Sequence, residues 1–190
     1  MTSSQQATEQ DLQGRTPMAT GSKSPGTIRL RFVTCNDPVS EGIRLRENFW
    51  ASHVEAVTPA GNGQGPNGLG PKYLGAHADG GVQARDPGYD AAILRQELFV
   101  ELAETAPGQA DEFYAFLNRH IGEPYDFESI LGFLVPDVAA HQPRHIICSA
   151  LQTLALRQCG WFAAPLVEPA HKISPRDLLL IISGRVEVKM

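Results

Sequence analysis

Cysteine is scarce in this chain, and what is missing around it narrows the chemistry. Among 190 residues there are three, Cys35, Cys148 and Cys159, an odd number with no CxxC pair, so the pattern is not a disulfide framework. If Cys148 and Cys159 share one helix, their spacing of eleven positions corresponds to about 16 Å, too far for a disulfide. Long apolar runs are missing too. The longest, Ile130–Val135 and Leu178–Ile182, are far too short to span a bilayer, so no transmembrane segment is expected. The opening MTSSQQATEQ lacks the basic stretch and apolar core of a signal peptide, which predicts cytoplasmic synthesis. There is no dense Lys/Arg cluster, and the net charge is −5; both argue against nucleic acid or an anionic membrane as a partner. Metal-ligand spacing is thin as well. His141 and His145 stand at HxxxH spacing just before Cys148. Pro143 disfavours the helix that would align their rings, and no acidic residue accompanies them. No metal and no cofactor are expected.

What is present is an ordinary globular composition, 42% apolar, on a chain long enough for one domain with a hydrophobic core. Residues 1–26 are rich in Ser, Thr, Gln, Gly and Pro and read as a flexible N-terminal tail, or as an arm that orders on a protein partner. Residues 27–190 read as the folded domain. TIRLRFVTC alternates apolar and basic residues and predicts a strand. Asp37-Pro38 starts a helix running to about Glu47. Phe49–Val57 predicts a second strand. Thr58–Pro71, with five glycines and three prolines, reads as a long loop. KYLGAHADGGVQAR predicts one or two strands around a Gly-Gly turn. Asp90 opens a segment whose Ile93, Leu94, Leu98, Phe99 and Leu102 suggest a helical stripe. Further helices are expected over about Asp111–His120, from Tyr125-Asp126 to Pro136, from Cys148 onward, and after Ser174, where Ser174-Pro175-Arg176-Asp177 has the residues of a capping box. This order predicts an α+β fold.

Cys148 stands where the apolar run His145-Ile146-Ile147 turns into a helix. A helix N-terminus offers partial positive charge and unpaired N–H groups, which favour a thiolate. The N–H groups of Cys148 and Ser149 could also hold the oxyanion of a tetrahedral intermediate. The plainer alternative is a small buried core residue. His53 and Glu55 alternate with Val54 and Ala56, so both point to one side of a strand. Cys148, His53 and Glu55 can then fill the roles of nucleophile, base and orienting acceptor if helix end and strand meet. The plainer readings are a backbone-bonded strand histidine and a solvated glutamate. His145 is the runner-up base. Asp126 as a helix cap with Tyr125 packed on it explains the pair Tyr125-Asp126 without chemistry. Cys35 and Cys159 read as buried structural thiols.

Several stretches in this order resemble the permuted branch of the papain-like, NlpC-type cysteine hydrolases (the YaeF/YiiX-like group and similar phage or prophage proteins). They are IRLRFVTCNDPVSEGIRLRE, SHVEAV, LGAHADGGVQARDPGYD, and GEPYDF followed by HIICSALQ. With the closing SPRDLLL, the resemblance covers roughly residues 28–180. It implies a circularly permuted papain-like fold, a small antiparallel sheet packed against helices. It also implies Cys148 as nucleophile and His53 as base. The family's third polar residue, on the strand after the histidine, falls near Gly75, which has no side chain. Glu55 is read into that role, with His77 or Gln83 as neighbours that could reach in; Tyr125, His77 and Gln83 are the candidate site-lining residues. The long Gly-rich loop is a second departure.

The resemblance implies a cysteine amidase or peptidase working through an acyl-enzyme on a peptide or peptidoglycan-like substrate, with cell-wall amides favoured over lipid esters. The rival expectation is a non-enzymatic phage virion or tail protein that keeps the fold and binds a neighbour through its N-terminal tail. A glycine at the orienting position suits that rival. Transfer of an acyl group to an acceptor other than water uses the same residues.

Overall fold

The alternation in TIRLRFVTC becomes strand β1 (Thr27–Cys35). The computed structural model describes residues 26–59, 71–125 and 147–184. The N-terminal tail, most of the Gly-rich loop, the expected helix after Tyr125, and His141 and His145 therefore lie outside the described residues, apart from Gly26, Thr58, Pro59 and Pro71. After β1 come α1 (Pro38–Glu47), β2 (His53–Val57), β3 (Tyr73–His77), β4 (Gly81–Arg85) and β5 (Leu94–Ala103). Then follow α2 (Gln109–Arg119), α3 (Cys148–Gln158), a 3-10 turn at Ala170–Lys172 and α4 (Pro175–Ser183). The strands form one five-stranded sheet in the order β4-β3-β2-β1-β5, with every neighbouring pair antiparallel. The fold is thus α+β, with a small antiparallel sheet packed against helices.

Local chemistry explains the boundaries. Asp37 caps α1 by accepting from the Ser40 N–H at 2.9 Å, with Pro38 in the first helical position. At α4 the capping box is complete: Ser174 Oγ accepts from the Asp177 N–H and Asp177 accepts from the Ser174 N–H, each at 3.1 Å. The two ends of the Gly-rich segment meet, with Thr58 N–H donating to Lys72 O at 2.9 Å and Lys72 N–H to Thr58 Oγ1 at 2.8 Å. Gly81 sits at φ +72, and a Cβ there would lie 2.1 Å from the Glu123 carbonyl oxygen. Only glycine allows the chain at Glu123 to run this close to β4.

One expectation is corrected. Asp90 does not open a helix. Residues 86–93 form turns, and Leu94–Ala103 is β5, paired with β1 along its length. Leu98 and Leu102 fit a helical stripe, but with Val100 between them they also satisfy a period of two. The edge of β1 needed a partner for its N–H and C=O groups, and that tertiary demand decides the conformation. The second strand is also shorter than Phe49–Val57, because Asn48 ends α1 in the left-handed region at φ 47 and the next residues turn.

One face of the sheet is apolar. Ile28, Leu30, Phe32, Val54, Ala56, Leu74, Ala76, Val82, Val100 and Leu102 are buried there against Phe113 and Leu117 of α2, Leu151 and Leu156 of α3, and Leu178 and Ile182 of α4. Helix α3 packs on β2, β3, α2 and α4. Its buried Gln152 donates to the Leu74 carbonyl at 3.0 Å and ties the helix to β3. Among the described residues no helix is long and apolar enough to cross a membrane.

Candidate active site

Helix α3 begins at Cys148, after an extended Ile147 whose side chain supplies no cap. The unpaired N–H groups of the first turn are therefore available, and no acidic residue stands there to compete. Cys148 is only 4% exposed. Its thiol interacts with the His53 ring and with the N–H groups of Val54 and Ser149. Burial by itself pushes the thiol up. The His53 charge, the hydrogen bond from its ring and the two N–H groups outweigh that and hold Cys148 below the ordinary thiol value. His53 shows the mirror image. Burial pushes it down, but the Cys148 thiolate and the Glu55 carboxylate prevail and raise it to about 10. Both shifts favour the pair as a thiolate and an imidazolium.

Strand β2 carries both His53 and Glu55, as the alternation requires, and His53 Nε2 lies 3.7 Å from Glu55 Oε2. With Nε2 turned toward the carboxylate, Nδ1 is the ring nitrogen available to the sulfur. Ser52 at the head of β2 is fixed by its N–H on the Val33 carbonyl at 3.0 Å and its hydroxyl against Thr34 Oγ1 at 3.1 Å. This holds the register that brings His53 opposite Val33 and Glu55 opposite Arg31.

Glu55 has no measurable exposure and is itself held. Arg31, 1% exposed, donates from Nη1 to Glu55 Oε1 at 2.7 Å. The same guanidinium reaches Asp90 Oδ2 at 2.9 Å and Glu97 Oε2 at 2.7 Å, and lies 4.5 Å over the Tyr73 ring. Burial alone would lower the Arg31 value; Asp90, Glu55 and Glu97 raise it instead, so the charge is fixed. Tyr89 donates its hydroxyl to Glu55 Oε2 at 3.2 Å. Burial, then the charges of Glu55 and Asp90, keep that phenol protonated.

His77 is the second imidazole. Its Nε2 lies 3.6 Å from the same Glu55 Oε2, and its ring centroid is 4.9 Å from that of His53. Burial lowers it to about 2, helped by the His53 and Arg85 charges, so it stays neutral. Gly75 belongs to this cluster through its lack of a side chain. A Cβ there would lie 2.9 Å from Glu55 Cβ, far inside the ordinary cross-strand spacing of about 4.5–5.5 Å. The glycine makes room for the glutamate.

Compared with known proteins, the chain matches no family model, and no curated protein is significantly similar to it. The site therefore stands on its own geometry.

That geometry brings together Cys148, His53, Glu55 and His77, and puts the Ser149 N–H on the sulfur. The other two candidate lining residues are Gln83 and Tyr125. Gln83 lies opposite Gly75 in the β3–β4 register but folds toward the turn, where its Nε2 would be 2.6 Å from a Cβ on Gly80. Tyr125 is buried in the core cluster. Cys35 and Cys159 are buried free thiols; burial, then Asp90, pushes Cys35 up to about 11. Sequence reasoning missed Arg31, Tyr89 and Asp90. Two arginines alternating in a strand were the only trace of the first, and DPGYD of the others. Sequence reasoning also expected no metal, yet His53, Glu55 and His77 offer ligand atoms that all lie within 4.8 Å of one another.

Proposed function

We propose that this chain is a cysteine-dependent hydrolase of the permuted papain-like kind, acting on an amide bond of a peptide or peptidoglycan-like substrate. The observation that carries the reading is the buried Cys148–His53 pair at the start of α3, with the thiol held below its ordinary value. The thiolate attacks the carbonyl carbon and the carbonyl oxygen becomes an oxyanion, to which the N–H groups at the head of α3 can donate. The C–N bond then breaks as His53 donates its proton to the departing amine, leaving a thioester on Cys148. Water attacks the thioester, His53 takes its proton, and the acid leaves as the thiolate–imidazolium pair is restored. Glu55 orients the imidazole and stabilises its charge; Arg31 and Tyr89 hold Glu55. The account of Gly75 supports this reading over a decayed site: the missing side chain coincides with a carboxylate supplied from the neighbouring strand.

The choice of a cell-wall amide rests on the sequence resemblance. The second reading, a binding protein that keeps the fold, draws on the near-complete burial of Cys148. One experiment separates them. Alkylation of Cys148 by iodoacetamide is followed against pH in the chain and in His53→Ala. Labelling that persists well below the ordinary thiol value of about 8.5 and is lost in His53→Ala supports the hydrolase. Slow labelling with an ordinary thiol profile, unchanged by the substitution, removes it and leaves the binding protein.

A further inference from the structure

The arrangement of His53, Glu55 and His77 goes beyond what an orienting acceptor requires. Glu55 Oε2 faces two imidazole nitrogens at once, His53 Nε2 at 3.7 Å and His77 Nε2 at 3.6 Å. Both nitrogens are buried and neither has a hydrogen-bond partner. His77 is 6% exposed, so its Nε2 has little water to turn to, and an unmet buried nitrogen is costly.

We propose that His53 Nε2, Glu55 Oε2 and His77 Nε2 form a binding site for a zinc-class divalent cation. Ligand atoms about 2.0–2.1 Å from a tetrahedral ion lie about 3.4 Å from one another. The two imidazole–carboxylate distances exceed that by a few tenths of an ångström, and all three ligand atoms lie within 4.8 Å of one another, so the side chains would draw together around the ion. A pair of imidazoles with one carboxylate selects zinc and its neighbours over magnesium or calcium, which prefer oxygen alone. The supporting partners are in place, because Arg31 and Tyr89 fix the carboxylate as outer residues fix metal ligands elsewhere. Glu55, Asp90 and Glu97 bring three carboxylates to the guanidinium of Arg31, and Arg85 adds a further positive charge that acts on His77. A cation on His53 and an imidazolium at His53 exclude each other, since both use the Nε2 lone pair. Metal loading and thiol chemistry therefore compete for one ring. The binding site itself does not depend on the hydrolase reading.

The test uses the tag-free full chain, stripped with a chelator and titrated with Zn²⁺ by calorimetry. A single equivalent should bind, at least about tenfold more weakly in His77→Gln and at least as tightly in Cys148→Ser, where no thiolate holds the proton on His53. Zn²⁺ should also raise the thermal unfolding midpoint of the unsubstituted chain, as any ligand specific to the folded state does. Absence of binding overturns the proposal, as does binding that survives His77→Gln but fails in Cys148→Ser. Should His77→Gln not fold, Co²⁺ bound to the unsubstituted chain decides. Tetrahedral visible bands without thiolate charge transfer support the site; thiolate charge transfer, or no visible bands, overturns it. Zinc binding beside an ordinary Cys148 labelling profile would sink the hydrolase and leave this site standing.

Discussion

The sheet is buried on its helix side and, on the other side, around Arg31 and Glu55, and the two regions are held by different forces. On the helix side, Phe32, Leu30, Leu74 and Leu102 meet Phe113, Leu151 and Ile182, and the stabilisation grows with apolar area removed from water. On the other side Arg31, Glu55, His77 and Asp90 are buried under the turns of residues 86–93, and the stabilisation depends on every charge having its partner. The helix face tolerates approximate fit. The charged face does not, and it is the one that holds the candidate chemistry. The two histidines express the contrast within 4.9 Å: one is raised by a thiolate and a carboxylate, the other lowered by burial and its neighbour's charge.

The largest expected effect is at Arg31. Arg31→Met removes the cation from Glu55, Asp90 and Glu97 and should cost about 3–5 kcal/mol in urea unfolding, as for other broken buried ion pairs. Phe32→Ala on the helix face should cost a similar 3–5 kcal/mol or so through lost burial and the cavity left behind. The difference is in rescue. Adding Glu55→Gln to Arg31→Met should recover part of the loss, because one stranded charge disappears. An Arg31→Met cost below about 1 kcal/mol would show that the charged face is solvated in solution, against the burial described here.

The next effect is on pH dependence, measured on metal-free protein. His53 is raised toward about 10, so its contribution is full below its ordinary value near 6.5 and is lost as pH rises through about 10. Cys148 is lowered, so its contribution is present above the ordinary thiol value near 8.5 and is lost as pH falls through its folded value. Between about pH 6.5 and 8.5 the two cancel, because the folded ion pair and the unfolded neutral pair carry the same number of protons. Unfolding free energy relative to a Cys148→Ala/His53→Gln reference should therefore be flat across that window. It should fall on both sides, with a slope approaching one proton per pH unit. A difference curve that rises or falls steadily through the window would mean that the folded pair does not hold one proton between its two groups there.

Much of this could be read along the chain, and the failures share one cause. Periodicity revealed β1, β2 and the β3–β4 hairpin, and capping residues revealed α1 and α4, because those signals are local. Cys148 at a helix start and His53 with Glu55 on one side of a strand were local as well. The charged network was not. Arg31, Glu55, Asp90 and Glu97 come from four separate stretches, and only the antiparallel register makes them neighbours. The same gap misread β5, whose leucines fit two periods until the edge of β1 chose one. It also hid the meaning of Gly75, which looks like a missing catalytic residue until Glu55 is seen filling its space.

That last point yields the smallest effect and the sharpest probe of the charged face. Gly75→Ala puts a methyl group 2.9 Å from Glu55 Cβ and should cost about 1–3 kcal/mol as other overpacked sites do. The cost is specific to one neighbour. In a double-mutant cycle Glu55→Gly should relieve most of the clash, a coupling of at least about 1 kcal/mol between the positions. The Gly75→Ala chain, where folded, should also lose part of the low-pH thiol reactivity of Cys148, since the carboxylate is pushed from the place where it faces His53. A Gly75→Ala chain with full stability and unchanged reactivity would mean that the two strands have room to part. Glu55 would then hold its position through Arg31 and Tyr89 alone.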